Sequence, residues 1–318
     1  MLKKTYAYPL RTVLVLGARD EPVCRLNLCV VRGLFGTRLV SLPFSDYGGP
    51  LMRDANLSEI SSTLATAIDS LALEYNASYI LFKSTEHDLP NYLAPRGYDP
   101  IHHLGTYIVS LNDRPSEIER KFHTSVRRRA KRIARDGMEF VDEQGETSIK
   151  RFYQVYLRDM RRHGSPPHSL KYFQAIWKEF GSSGGWKLFS CKNGDENLGY
   201  ALHFLYGKTV LFYVGVWPGR ARKMGVAPFL IANSIRFFAE EGYQLYDFGR
   251  TPHPSAESLF KQSFGGEYRS QNALVKSFNG GRNLAPSNWR YRVLSSLLWY
   301  TPLSLLSRIG PQIKEQLE

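Results

Sequence analysis

Acidic residues are scarce in this chain of 318 residues: 29 Asp+Glu stand against 42 Lys+Arg, a formal net charge of +13. An excess of that size favours an anionic partner such as RNA, a phosphorylated substrate or a lipid surface. Cysteine is rarer still. Cys24, Cys29 and Cys191 are too few and too scattered for a disulfide framework or a zinc site, and no Cys-x-x-Cys occurs, which fits a reducing cytosol. The eight histidines (His87, His102, His103, His123, His163, His168, His203 and His253) show no His-Glu-x-x-His or related spacing, so no metal is expected; His102-His103 reads as a surface or core pair. There is no Gly-x-Ser-x-Gly elbow for a serine hydrolase and no Rossmann glycine triplet for a dinucleotide. Long apolar runs are missing as well. None approaches the about 18 residues that cross a bilayer. The nearest, Leu294 to Leu306, is interrupted by Thr301-Pro302 and bracketed by Arg292 and Arg308; it would cover the core or lie flat on a membrane. Met1-Leu2-Lys3-Lys4 is like a signal n-region, but Val13 to Leu16 is too short for an apolar signal core and runs into Arg19-Asp20-Glu21, so it reads as a buried strand.

What is present is globular: 43% of residues are hydrophobic and 22% charged, and the length suggests two domains of about 150 residues each. Apolar β-branched runs predict strands over 11–17, 23–32, 38–43, 78–83 and 106–111, with a helix over 57–75, so the first ~112 residues read as one α/β unit. Ser116-Glu117-Ile118-Glu119 has capping-box spacing and predicts the start of one long helix closed by Gly137. Helices follow over 153–163 and 169–180, then strands over 186–191, 198–206 and 209–216 with Gly207-Lys208 as the turn. A helix over 226–241, a strand over 244–248, a short helix over 257–264 and a strand over 268–277 complete the second unit.

Four features carry possible chemistry. Eight cations, Arg120 to Arg135, crowd into sixteen residues. Phe122, Val126, Ala130 and Ile133 fall on one helical face between them, so that stripe packs while the cations fan outward. Like charges four apart each cost a few tenths of a kcal/mol, a cost that a polyanion would offset. The second feature, Arg222-x-x-Gly225-x-Ala227, lies between a strand and a helix start, where small residues permit close approach and helix amides face an anion. The third is Asp247-Phe248-Gly249-Arg250. It is like a kinase metal loop, but neither a Gly-x-Gly-x-x-Gly loop nor a His-Arg-Asp loop accompanies it, so a carboxylate–guanidinium clamp is expected instead. In the fourth, Phe260-Lys261 sets an ammonium beside aromatic rings, where it could stabilise an oxyanion or a phosphate.

Taken in order, Ser41-Leu42-Pro43-Phe44 running to Tyr47-Gly48-Gly49, the basic Arg127-Arg128-Arg129-Ala130-Lys131-Arg132 helix, Phe152-Tyr153 with Asp159 to Pro166, Asp247-Phe248-Gly249-Arg250 and Phe260-Lys261 before Gly265 resemble the Fem-type (FemABX) transferases. The likeness is greatest to the FemAB-like proteins of exopolysaccharide loci, within the GNAT-like superfamily, and covers about residues 12 to 275. The resemblance implies an α/β (α+β) fold of two tandem GNAT-like domains with mixed central sheets flanked by helices. It puts an N-terminal domain at 1–113, which reads as truncated, a second domain opening on the basic helix at 114–280, and a helical C-terminal tail at 281–318. It implies acyl or aminoacyl transfer to an amine of a phosphorylated cell-envelope precursor of peptidoglycan or exopolysaccharide type. Lys261 and Phe260 would stabilise charge, Asp247 and Arg250 would position groups, and Arg127, Arg128, Lys131 and Arg132 would supply acceptor-phosphate ligands. No cofactor is expected to be tightly bound. The family's aminoacyl-tRNA donor stays open alongside acyl-CoA, because Arg222, Gly225 and Ala227 resemble the pyrophosphate loop of CoA-using GNAT enzymes; the long coiled-coil arm of some Fem proteins is missing. tRNA and an anionic membrane surface are the further partners expected, and the expected location is the cytoplasm, at the inner face of the membrane. A non-catalytic basic module binding RNA or anionic membrane is the competing reading.

Overall fold

The computed structural model describes residues 2–33, 36–53, 57–84, 88–101, 104–278 and 288–317; His87 and His102-His103 lie outside them. The chain forms two compact units. One comprises Leu2–Gly105, Ser270–Arg290 and Gln312–Glu318, the other Thr106–Arg269 and Tyr291–Pro311.

Along the first unit come α1 (Leu2–Tyr6), β1 (Leu10–Leu16), β2 (Pro22–Gly33), β3 (Gly36–Val40), β4 (Leu51–Met52), α2 (Leu57–Glu74), β5 (Ala77–Ser84), α3 (Leu89–Leu93) and β6 (Asp99–Ile101). Alternation decides which strand residues turn inward: Val13 and Val15 of β1 are buried, while Leu14 and Leu16 point outward. Ile60, Leu64, Ile68 and Ala72 recur at four-residue steps and seat α2 on the sheet. The Ser41–Gly49 segment packs as a loop: Gly48 N–H donates to the Lys83 carbonyl, and Lys83 Nζ donates to the Ser45 carbonyl at 2.6 Å. A Cβ on Gly48 would sit 2.6 Å from the Ser41 carbonyl oxygen, so only glycine fits there.

The second unit opens with β7 (Leu104–Ser110), α4 (Pro115–Arg120), α5 (Thr124–Arg135), β8 (Glu139–Glu143), α6 (Gly145–His163) and α7 (Leu170–Phe180). It continues through β9 (Trp186–Asn193), β10 (Glu196–Tyr206), β11 (Thr209–Val216), α8 (Arg220–Met224), α9 (Val226–Glu240), β12 (Leu245–Asp247), β13 (Thr251–Pro252), α10 (Ala256–Gln262) and β14 (Glu267–Ser270). β15 (Asn272–Ser277) then joins the first unit's sheet, and α11 (Asn288–Tyr300) and α12 (Leu303–Leu317) end the chain. Among the described residues no helix is long and apolar enough to cross a membrane.

The two sheets correct the sequential reading of the strands. The first runs β1-β2-β3-β5-β15-β6, with β4 paired to β2, and the second β13-β7-β12-β11-β10-β9-β8, with β14 paired to β7. The strand expected to close the first unit, 106–111, is β7; it pairs with β12 through Leu245↔Ser110 and Asp247↔Ile108. The strand expected to finish the second unit splits after Ser270, and its latter part, β15, pairs with β5. Each sheet thus takes a strand from the stretch of chain assigned to the other, an arrangement that local hydrophobic pattern does not encode.

The basic helix is also two helices. Arg114 is the N-cap of α4 with Pro115 in its first turn. His123 then caps α5, its ring Nδ1 accepting the Ser125 amide at 3.3 Å. The capping box expected at Ser116 does not form, because Pro115 already opens the helix; a capping box occurs instead at Ser255 and Ser258 of α10. The apolar stripe holds despite the break: Phe122, Val126 and Ile133 are buried, and Ala130 packs beside them.

Two buried titratable groups of the second unit make stability fall with acid. His203, fully buried among Phe189, Phe212, Phe238 and Tyr246, is pushed by burial to a pKa of about 3. Burial works against the Glu143 carboxylate, but hydrogen bonds from Ser148, Lys192 and Ser190 outweigh it and hold the pKa at about 2. The unfolded chain protonates its histidine near 6.5 and its glutamate near about 4.3, so on acidification it binds protons that the native state refuses. Stability falls from pH 6.5 toward about 3 through His203, and from about 4.3 toward about 2 through Glu143. His203→Gln, which keeps a polar partner for the Tyr246 hydroxyl, is expected to remove about 1.4 kcal/mol of loss per pH unit between 6.5 and 4.5. Urea midpoints across that range would show it; an unchanged slope would refute it.

Candidate functional site

The second sheet opens where β11 and β12 separate. Their parallel pairing covers only Thr209↔Leu245, Val210↔Tyr246 and Leu211↔Asp247. β12 then ends, while β11 continues to Val216. The β12-facing edge of Phe212 to Val216 therefore borders a notch in the sheet. Beside it, the β10–β11 register slips from Leu202↔Val214 to His203↔Phe212, so Tyr213 is an inserted residue, a bulge of the kind that re-aims a strand next to a site.

At the far end of β11, Trp217 to Gly219 leads into α8. Gly225 then adopts φ +99° and starts α9. Glycine is favoured there because a side chain would be strained in that left-handed conformation. Pro228 in the first turn has no N–H, so the amides of Val226 and Ala227 are those turned to the α9 N-terminus. Arg222 and Lys223 are exposed alongside. The structure thus brings Arg222, Gly225 and Ala227 into one turn suited to phosphate. Arg132 buttresses this turn, its guanidinium donating to the Met224 carbonyl at 2.5 Å.

Where β12 ends, Asp247 is buried, and its Oδ1 accepts from Thr106 Oγ1 at 2.5 Å and from the Gly249 amide at 2.8 Å. The chain turns through Gly249 (φ +69°) to half-buried Arg250. Lys261, 5% exposed on α10, donates through Nζ to the carbonyls of Gly249 and Arg250, both at 3.2 Å, and pairs with Glu257 at 2.9 Å. Phe260 packs against the core and meets Phe264 edge-on at 5.3 Å. Asp247, Arg250 and Lys261 are therefore one connected unit at the end of β12. Lys261 is held by carbonyls and a carboxylate, which together match its three donors. Reaching a substrate oxyanion would mean exchanging one of them, and Glu257, with its side chain 58% exposed, is the partner most easily released.

The α5 cations do not converge on one point. Arg132 serves the α8–α9 turn, whereas Arg127 and Lys131 line a groove of about 260 Å³ with Arg120, Asn233 and Arg236. Arg128 is exposed. Arg236 pairs with Glu119 at the groove's edge. Among the described residues no carboxylate pairs with Arg127, Arg128, Arg129, Lys131, Arg132 or Arg135; Arg127 donates instead to Thr124 Oγ1 at 3.4 Å. Nor is any group of three His, Cys, Asp or Glu among them placed to hold a metal ion.

Two groupings had no assigned role in the sequence reading. Asp159, 3% exposed, accepts from Arg162 at 3.1 Å and faces His163 at 3.7 Å. Burial lowers the His163 pKa, Asp159 opposes that, and Arg162 and Arg222 reinforce it. Arg222 therefore acts electrostatically on the α6 C-terminus as well as on its own turn. Arg222→Ala should raise the His163 pKa, read by NMR titration; an unmoved His163 would refute the link. The second grouping is Tyr172 on α7, hydrogen-bonded to the bulged Tyr213 at 2.5 Å with His168 stacked on its ring at 4.1 Å. Its sequence signal was the polar Gly164–Ser169 connection between two helices, but the pairing with residue 213 arises only in the fold.

Comparison with known proteins agrees with this fold. Residues 120–262 match the family of the acetyltransferase (GNAT) domain. No curated protein matches the sequence. Among solved structures the fold is similar to FemX, with TM-score 0.66, 15% identity and 92% of both chains covered. It is similar to the C-terminal domain of a putative lysylphosphatidylglycerol synthetase from Agrobacterium fabrum, with TM-score 0.58, 13% identity, and 85% of this chain and 84% of that one covered. A tandem GNAT protein from the clavulanic acid biosynthesis pathway gives TM-score 0.57 and 12% identity over 86% of this chain and 84% of that one. The protein carries a GNAT domain and is an acyltransferase. Its fold is similar to those of FemX and the tandem GNAT protein: two units with mixed sheets, ending in C-terminal helices.

Proposed function

We propose that the protein transfers an acyl or aminoacyl group from acyl-CoA or aminoacyl-tRNA to an amine of a phosphorylated cell-envelope precursor of peptidoglycan or exopolysaccharide type. The observation that carries this reading is the notch between β11 and β12 with the α9 N-terminus at its open end. A notch where two parallel strands part can hold an extended acyl carrier, and the adjoining turn can take its phosphate. Arg222 with the Val226 and Ala227 amides, in the turn that Gly225 permits, binds the donor phosphate. Lys261, backed by Phe260, stabilises the negative charge that develops as the amine attacks the carbonyl. Asp247 and Arg250 hold the segment on which Lys261 rests. The unpaired cations Arg127, Arg128 and Lys131 attract the acceptor phosphates, while Arg132 ties their helix to the donor turn.

Calorimetric titration with a CoA thioester and, separately, with charged tRNA tests the reading. Saturable binding of one donor, weakened in Arg222→Ala, is the expected result. If neither donor binds while RNA or anionic vesicles bind with steep salt dependence, the proposed donor assignment fails.

A further inference from the structure

The C-terminal helices present an apolar surface that the catalytic reading does not use. Val293, Leu297, Trp299, Tyr300 and Leu305 are between 47% and 84% exposed, and no charged residue separates Arg292 from Arg308. Val293, Leu297 and Tyr300 fall at i, i+4 and i+7, a single stripe of α11. The opposite side is anchored. Leu298 and Leu306 are buried, Ser295 Oγ donates to the His163 carbonyl at 3.4 Å, and Gly310 packs on Pro167 so closely that a Cβ would meet it at 2.4 Å. The stripe is thus held outward on a fixed support.

The surroundings are cationic. Arg308 is exposed on α12, and His163, to which α11 is bonded, senses the charges of Arg162 and Arg222. An aliphatic stripe edged by Trp and Tyr, rimmed by arginine and carried on a chain of net charge +13, has the chemistry of a helix lying in the headgroup plane of an anionic bilayer. We propose that α11 and the start of α12 are a docking surface for an anionic lipid membrane, with Leu297, Trp299 and Tyr300 at the acyl boundary and Arg308 against the headgroups. This goes beyond the acyl-transfer reading and depends on neither substrate.

Co-sedimentation of the full chain with vesicles tests the proposal. Wild type should pellet with phosphatidylcholine–phosphatidylglycerol vesicles, less so with added salt, and not with phosphatidylcholine alone. Leu297→Gln combined with Tyr300→Gln changes side chains already in solvent and should reduce binding at least about tenfold, since each removes inserted apolar area. Leu73→Gln, an equally exposed site on α2, should leave it unchanged. The proposal is overturned if wild type ignores the anionic vesicles, or if the double variant binds them as well as wild type, which would mean attraction by charge alone. It is overturned equally if the double variant abolishes self-association in analytical ultracentrifugation while vesicles are not bound, which would make the stripe an interface between copies.

Discussion

Lys261→Met is expected to lower kcat by about a thousandfold, the scale of removing one preorganised oxyanion donor, with little loss of fold. The fold should survive because the residue's ionic partner, Glu257, is largely exposed and returns to water at small cost. The other two contacts are carbonyls at 3.2 Å, each a modest loss of about 1 kcal/mol. The check is kcat against an amine acceptor alongside the urea midpoint of the same variant. Glu257→Gln gives a useful contrast: it frees one Lys261 donor without removing the cation, and activity should be kept or rise. Unchanged turnover in Lys261→Met would reject its catalytic assignment.

Asp247→Ala should destabilise the protein by about 3 kcal/mol and abolish most activity, because it leaves two buried donors unpaired. Those donors are the Thr106 hydroxyl on β7 and the Gly249 amide. The same segment supplies the carbonyls that hold Lys261, so the damage passes to the ammonium proposed to stabilise charge. Asp247→Asn retains an acceptor oxygen and should cost about 1 kcal/mol, with activity reduced less than about tenfold. Paired measurements of stability and kcat/KM distinguish positioning from proton transfer. If Asp247 were the general base, the Asn variant would be as inactive as the Ala variant and would lose the acidic limb of the pH–rate profile.

Much of this arrangement was legible in the residues. The strand–turn–helix passage around Gly225 was visible because a left-handed glycine before an amphipathic helix has few other uses, and the structure places φ at +99° there. The apolar stripe of Phe122, Val126 and Ile133 survived even though the helix carrying it breaks at residues 121–123. The break has no Gly or Pro to mark it in the sequence, and α4 starts at Pro115, whose fixed φ favours a first helical turn, not at a Ser116 cap. The exchange of β7 and β15 between sheets was not legible. Both are half-buried alternating strands, and which sheet each completes depends on edges formed by residues more than a hundred positions away. One partner of Asp247 is also non-local: its bond with Thr106 spans 141 positions, which no short motif encodes. Buried polar residues such as Lys83 and Asp159 look like ordinary surface residues until their partners are in place.

The most direct test of the acyl-transfer account is amide hydrogen exchange of the full chain with and without the donor that calorimetry selects. The account predicts new protection at Phe212 to Val216, at Val226 and Ala227, and at Phe248 to Arg250, the edges of the notch and its phosphate turn. Protection confined to the outer face of α5 or to the β1–β6 sheet, with the notch unchanged, would contradict it.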